Sequence, residues 1–175
     1  MMHDEPILAE IHSAQKTQVA SLSLKGRALC RVPAELGQLR RLRTLNLGHN
    51  QLSEIPKEIG RLKNLETLYL GFNRILGLPE EIGELTNLQS LYLGYNLLER
   101  LPSTIGRLHN LQTLHLNNNR IKELPEELGQ LNTLRELALT MNPIETPPIE
   151  IANRGIDAVR DWFELRHCES QAPRT

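Results

Sequence analysis

The 175 residues, 39% hydrophobic and 23% charged with a formal net charge of −1, describe one soluble globular domain and exclude a disordered chain. A charge this close to zero argues against nucleic acid as a bulk electrostatic partner. No apolar run is long enough for a signal peptide or a membrane span, and Cys30 and Cys168 stand far apart, so a reduced, cytoplasmic setting is expected, with signal-independent export as the alternative.

Residues 1–15 are expected to form a capping helix: Asp4 can cap it, Pro6 suits an early helical position, and Ile7, Leu8, Ile11 and Ala14 share one face. From Lys16 the chain takes up a 23-residue period, in six units over residues 16–152. The first unit is degenerate, with Val19, Leu22, Leu24, Leu29, Val32, Pro33, Leu36 and Gly37 in register but Lys16 and Arg27 where later units carry Leu and Asn.

The later units open on Leu39, Leu62, Leu85, Leu108 and Leu131, continue through Leu42, Leu65, Leu88, Leu111 and Leu134, and reach Asn50, Asn73, Asn96, Asn119 and Asn142. A fixed period of this size marks a solenoid, because one such unit cannot bury its apolar face alone. In LETLYLGFN, Leu68 and Leu70 share one face of a short strand while Thr67 and Tyr69 face the other way. The asparagines are expected to form a structural ladder that satisfies turn amides and carbonyls, beginning at Asn50 because an Arg side chain has no acceptor. Pro56, Pro79, Pro102 and Pro125 suit the first turn of a short outer helix, with Gly60, Gly83, Gly106 and Gly129 just past its end.

After Asn142 the sixth unit drifts, with Pro143, Pro147 and Pro148 and with Ala152 in place of the closing glycine. Residues 153–168 are expected to cap this end, the main helix running from about Ile156 to His167. Its apolar stripe is Ala152, Ile156, Val159 and Phe163, widened by Ala158, Trp162 and Leu165, with Asn153, Asp157, Arg160, Asp161 and Glu164 opposite. Residues 169–175 are expected to be a disordered tail.

The unit L-x-x-L-x-x-L-x-L-x-x-N-x-[LI]-x-x-[LI]-P-x-x-[LI]-G-x resembles the 23-residue leucine-rich repeat. The runs AEIHSAQKTQVASLSLKG and NPIETPPIEIANRGIDAVRDWFEL resemble the flanks of prokaryotic leucine-rich repeat proteins, free-standing or joined to a Roco-type GTPase, and the repeats resemble the Ras-suppressor and Ras-binding-scaffold group. The resemblance implies an α/β fold: a right-handed horseshoe solenoid with a concave parallel β-sheet, short convex helices or turns, and helical caps at both ends. It says little about the partner, since the scaffold hosts many ligands.

Shifting by 23 residues aligns outward strand positions into columns: Ser23, Asn46, Tyr69, Tyr92, His115, Ala138, and Gly26, His49, Phe72, Tyr95, Asn118, Met141. Gly48, Gly71, Gly94 and Asn117 lie between them, where the glycines are expected to leave backbone accessible. Of six Phe, Trp and Tyr residues, four fall in these columns. Neighbouring strands stand about 4.8 Å apart, so Tyr69 lies beside Tyr92 and Phe72 beside Tyr95. Such rings either stack merely to stabilise the sheet, by roughly 0.2–1 kcal/mol per pair, or form a binding surface, the reading preferred because exposed aromatic patches otherwise promote aggregation.

Arg40, Arg41, Arg43, Arg61 and Lys63 cluster at one edge of the strands, and Glu80, Glu81, Glu84, Glu126 and Glu127 on the outer turns, read as solvated faces. No phosphate loop, H-E-x-x-H, C-x-x-C or G-x-S-x-G occurs, and His109 and His115 have no evident third metal ligand. No catalytic residue, metal or cofactor is therefore expected. The sequence points to a protein-interaction module of scaffold or regulatory type, with a protein partner of unknown identity. Its anchors are Tyr69, Phe72, Tyr92 and Tyr95, and its polar rim is Asn46, His49, His115, Asn117 and Asn118. The alternatives are a small-ligand or carbohydrate binder using the same patch and a weak homodimer formed through it.

Overall fold

The computed structural model describes residues 5–171. Six strands of three residues each, β1 (Ser21–Ser23), β2 (Thr44–Asn46), β3 (Thr67–Tyr69), β4 (Ser90–Tyr92), β5 (Thr113–His115) and β6 (Glu136–Ala138), form one parallel sheet in sequence order. Every pairing is offset by one repeat, as in Leu45↔Leu68 and Leu68↔Leu91. Residues 23 apart in sequence are therefore lateral neighbours in space, and the chain winds as a right-handed solenoid.

Alternation along each strand sends the leucines inward. Leu45, Leu47, Leu68, Leu70, Leu91, Leu93, Leu114 and Leu116 are all fully buried. Each buried leucine side chain contributes about 1.5–3 kcal/mol relative to exposure, so repeated stacking supplies the core that no single unit has.

The chain returns over the outer face through five 3-10 turns: Ala34–Gln38, Lys57–Arg61, Glu80–Glu84, Ser103–Arg107 and Glu126–Gln130. Each proline precedes its turn in extended conformation rather than forming part of it; Pro56 has φ −66° and ψ 144°. The glycines sit inside the turns, not past their ends. Their role is close approach: a Cβ on Gly60 would lie 2.7 Å from Glu81 O, and one on Gly37 would lie 2.6 Å from Glu58 O. Gly129, in the last of the 3-10 turns, has only Arg160 Cγ nearby, at 3.9 Å.

The buried asparagines couple each repeat to the one before it. Asn96 Nδ2 donates to Leu70 O and Leu93 O, both at 3.0 Å, and its Oδ1 accepts from Ile75 N–H at 3.0 Å. Asn73, Asn119 and Asn142 repeat this arrangement in their own units. Asn50 does the same for the first unit, accepting from Arg27 N–H and Leu29 N–H. A second ladder, on the surface, is made by Asn64, Asn87 and Asn110, whose amides donate to Arg40 O, Lys63 O and Thr86 O at 2.8 Å each.

Helices lie at both ends. α1 (Glu5–Thr17) buries Ile7, Ile11 and Ala14; Asp4 lies outside the described residues. α2 (Ile149–Ala152) and α3 (Ile156–Gln171) bury Ala152, Ile156 and Val159, whereas Leu165 is 66% exposed, so the apolar stripe is narrower than its wheel suggests. Arg160 does not join the solvated face. It folds over the last outer turn, donating to Gly129 O at 3.3 Å and Leu131 O at 3.1 Å while pairing with Asp157. Earlier turns pack against the next 3-10 turn, whereas α3 packs against this one, and the Arg160 guanidinium has donors enough for both carbonyls. α3 also continues through Gln171, so Glu169–Gln171 are helical where a tail was expected; no Gly or Pro interrupts the run, and residues 172–175 lie outside the described residues.

Replacing Asn96 with Ala leaves Ile75 N–H unpaired and takes from Leu70 O and Leu93 O one of the two asparagine hydrogen bonds each accepts, and is expected to cost about 1–3 kcal/mol in urea denaturation. Gln89→Ala, at an exposed position, should change the midpoint little; equal losses from both would contradict the ladder's energetic role.

Candidate functional site

The concave face is the outward side of the strands together with the residues just after them. Two columns of side chains run along it. In one, His49, Phe72 and Tyr95 form a continuous parallel stack, with ring centroids 4.3 Å apart at each step and planes within 8°. In the other, Tyr69 stacks on Tyr92 at 4.7 Å, and His115 meets Tyr92 edge-on at 5.0 Å. The stacking distances are close to the strand spacing of about 4.8 Å, so the sheet sets them.

The rings remain open to solvent at their edges. Tyr69 is 37% exposed, Phe72 47% and Tyr95 46%. Tyr92 and His115 are half-buried. His49 and His115 stand in different columns and near opposite ends of the face. Asn46 continues the first column but turns its Oδ1 back to accept from Gly48 N–H at 3.0 Å. Asn117 lies between the columns beside Gly94, and Asn118 donates to Met141 Sδ at 3.2 Å. Gly48 and Gly94 are buried rather than accessible, because the flanking columns close over them.

One residue at the edge of the face was not among its expected members. Glu136 places Oε1 2.8 Å from His115 Nε2 and closes the Tyr69–Tyr92–His115 row with a carboxylate. The signal was available, since Glu136 is the one acid in a register column of Thr44, Thr67, Ser90 and Thr113. Met141 is 74% exposed and prolongs the second column.

The backbone of the second column was not legible at all. His49, Phe72, Tyr95, Asn118 and Met141 have φ between 55° and 60°, in the left-handed region, where Gly26 of the first repeat also lies. Non-glycine residues there cost roughly 1–2 kcal/mol each, and a stacked pair returns only about 0.5–1.5 kcal/mol. Histidine, phenylalanine, tyrosine, asparagine and methionine thus occupy positions where glycine is the relaxed choice.

Charged groups at the strand edge pair between neighbouring repeats. Arg43 Nη1 lies 2.8 Å from Glu66 Oε1, and Lys63 Nζ lies 2.6 Å from Glu84 Oε2. The hydrogen bond and charge of Lys63 hold the Glu84 carboxyl below its ordinary range. Lys63 of the basic edge thus meets Glu84 of the acidic turns, and Arg43 meets Glu66 of the next repeat. Among the described residues, no three His, Cys, Asp or Glu side chains converge as metal ligands would, and no helix is long and apolar enough to cross a membrane.

Comparison with known proteins gives one family. The pattern described as leucine rich repeat matches residues 17–75, 40–98, 63–121 and 86–144. No curated protein sequence matches the chain. Among solved structures, a leucine-rich repeat protein of Leptospira interrogans is 37% identical, with a TM-score of 0.64 over 75% of this chain and 40% of that one. The leucine-rich repeat domain of the type III effector XopL is 26% identical, with a TM-score of 0.73 over 79% of this chain and 50% of that one. A chain of the BIR3–SERK2 complex from Arabidopsis thaliana is 33% identical, with a TM-score of 0.59 over 69% of this chain and 66% of that one. The present chain thus spans between two fifths and two thirds of the length of these structures.

If the left-handed backbone is strained by its side chains, Phe72→Gly should be more stable than Phe72→Ala by about 1 kcal/mol, although Gly normally loses to Ala. Urea midpoints of the two variants measure this, and an Ala variant as stable as the Gly variant would remove the strain argument.

Proposed function

The chain belongs to the leucine-rich repeat family, and on that premise we propose that it is a protein-interaction module that grips its partner across the concave face. Tyr69, Phe72, Tyr92 and Tyr95 are the anchors, with Asn46, His49, His115, Asn117 and Asn118 as the polar rim. The repeats, residues 16–152, carry the face, and the helical segments at either end shield the core. The role is that of a scaffold or regulator in a reducing, cytoplasmic compartment, with binding rather than catalysis as its work.

The observation that carries this reading is the pair of exposed ring columns, one of them held in strained backbone. Tyrosine offers large rigid area and a polar tip at low entropic cost, which suits it to protein recognition. Protein partnership is also known for a similar chain, the one found in the complex of BIR3 with SERK2.

A carbohydrate reading fits the geometry less well. Sugars pack on the faces of aromatic rings, and here the inner faces are already covered by neighbouring rings at 4.3 to 4.7 Å. What the columns offer along most of their length is ring edges and hydroxyl tips.

The double variant Tyr69→Ala, Tyr92→Ala removes one column while sparing every buried leucine. Its circular dichroism spectrum should match that of the wild type, and its affinity for the protein captured by the wild type should fall by at least about 2 kcal/mol, as for central anchors. Undiminished binding would count against the face. Saturable thermal stabilisation by a glycan would favour the sugar reading instead, and concentration-dependent mass in sedimentation that disappears in the double variant would favour a homodimer.

A further inference from the structure

The second column ends on a glycine. Gly26 holds the register position of His49, Phe72 and Tyr95: its N–H donates to Gly48 O at 3.1 Å, as His49 N–H does to Gly71 O and Phe72 N–H to Gly94 O. Its φ of +67° also falls near the others. The backbone is therefore set for a ring that the sequence does not supply. A Cβ added at Gly26 would meet nothing within 4 Å. His49 consequently packs one face on Phe72 and turns the other toward an unfilled position one strand spacing wide.

The charges around that vacancy are positive. Lys25 is exposed and takes the position between the columns that Gly48, Gly71 and Gly94 hold in later repeats. Arg27 follows on the other side, half-exposed and 3.4 Å from Glu10. Residues 16–63 carry ten Lys and Arg against three Asp and Glu; Arg27, Arg43 and Lys63 among them pair with Glu10, Glu66 and Glu84 from outside that stretch, which still leaves an excess of basic side chains. A cationic side chain entering here is repelled, whereas an aromatic ring with an adjacent carboxylate gains from both the stack and the field.

Resting on the concave-face reading above, we propose that the vacancy over Gly26 receives one aromatic side chain of an acidic partner segment. The ring stacks on the open face of His49 and lengthens the column by one step. A neighbouring Asp or Glu of the partner lies against Lys25. The column then acts as a ruler with one missing division, which the partner fills.

The test uses the full chain, isotope-labelled, with 3-phenylpropanoate as the probe and nuclear magnetic resonance as the readout. Saturable upfield shifts of the His49 ring protons, with movement of the Gly26 amide, are expected. Gly26→Phe places the chain's own ring in the vacancy, at a φ near the one Phe72 adopts, and should abolish them. Lys25→Ala should weaken the carboxylate several-fold and leave the neutral 3-phenylpropanamide unchanged. Shifts centred on Tyr69 and Tyr92, unaltered saturation in Gly26→Phe, or equal affinity for carboxylate and amide would overturn the proposal. A partner that binds Gly26→Phe as well as wild type but loses the Tyr69→Ala, Tyr92→Ala variant would defeat this inference alone; one that binds both variants normally would defeat the concave-face reading itself.

Discussion

Lateral spacing between parallel strands, about 4.8 Å, is the constraint on which the remaining structure depends. It converts a period in sequence into a distance in space. Leucines that recur at that period become a continuous core, asparagines become a buried ladder, and two columns of rings are brought into stacking contact at 4.3 to 4.7 Å. The strand pairings and the stacked rings share one offset, that of a single repeat.

Much of this was legible because the relevant signals are periodic. Leu68, Leu91 and Leu114 announce a one-sided strand by their alternation with polar residues, and Asn73, Asn96 and Asn119 mark the turn by recurring at one offset. What periodicity hid was anything set by backbone curvature or by the ends. The glycines of the outer turns look like helix terminators by residue type, yet Gly60 is required because Glu81 of the next turn leaves no room for a side chain. Arg160 reads as a surface residue on a helical wheel, but α3 packs on the last 3-10 turn and brings the guanidinium to Gly129 O and Leu131 O. The left-handed backbone beneath Phe72 and Tyr95 has no compositional signature, since the usual marker, glycine, occurs at just one position of that column.

The face that results differs from a flat aromatic patch. Rings packed against one another present edges and hydroxyls outward, which suits the polar and apolar mixture of a protein surface. Open ring faces are left only where a column stops. Recognition at the margins therefore differs in chemistry from recognition along the middle, and the two ends are unlike: a glycine beside Lys25 at one, and His115 with Glu136 at the other.

The asparagine ladder also has a direction. Each amide clamps the turn of the unit before it, as Asn119 Oδ1 takes Leu98 N–H and Asn142 Oδ1 takes Ile121 N–H. The first unit is held by a successor, while the sixth has none behind it and leans on α2 and α3. Loosening therefore has a natural starting point: when the C-terminal helices lift, the sixth unit frays, and the clamp on the fifth goes with it. Opening spreads backward along the coil like a zip, so resistance to solvent exchange should grade along the axis rather than divide it into separate blocks.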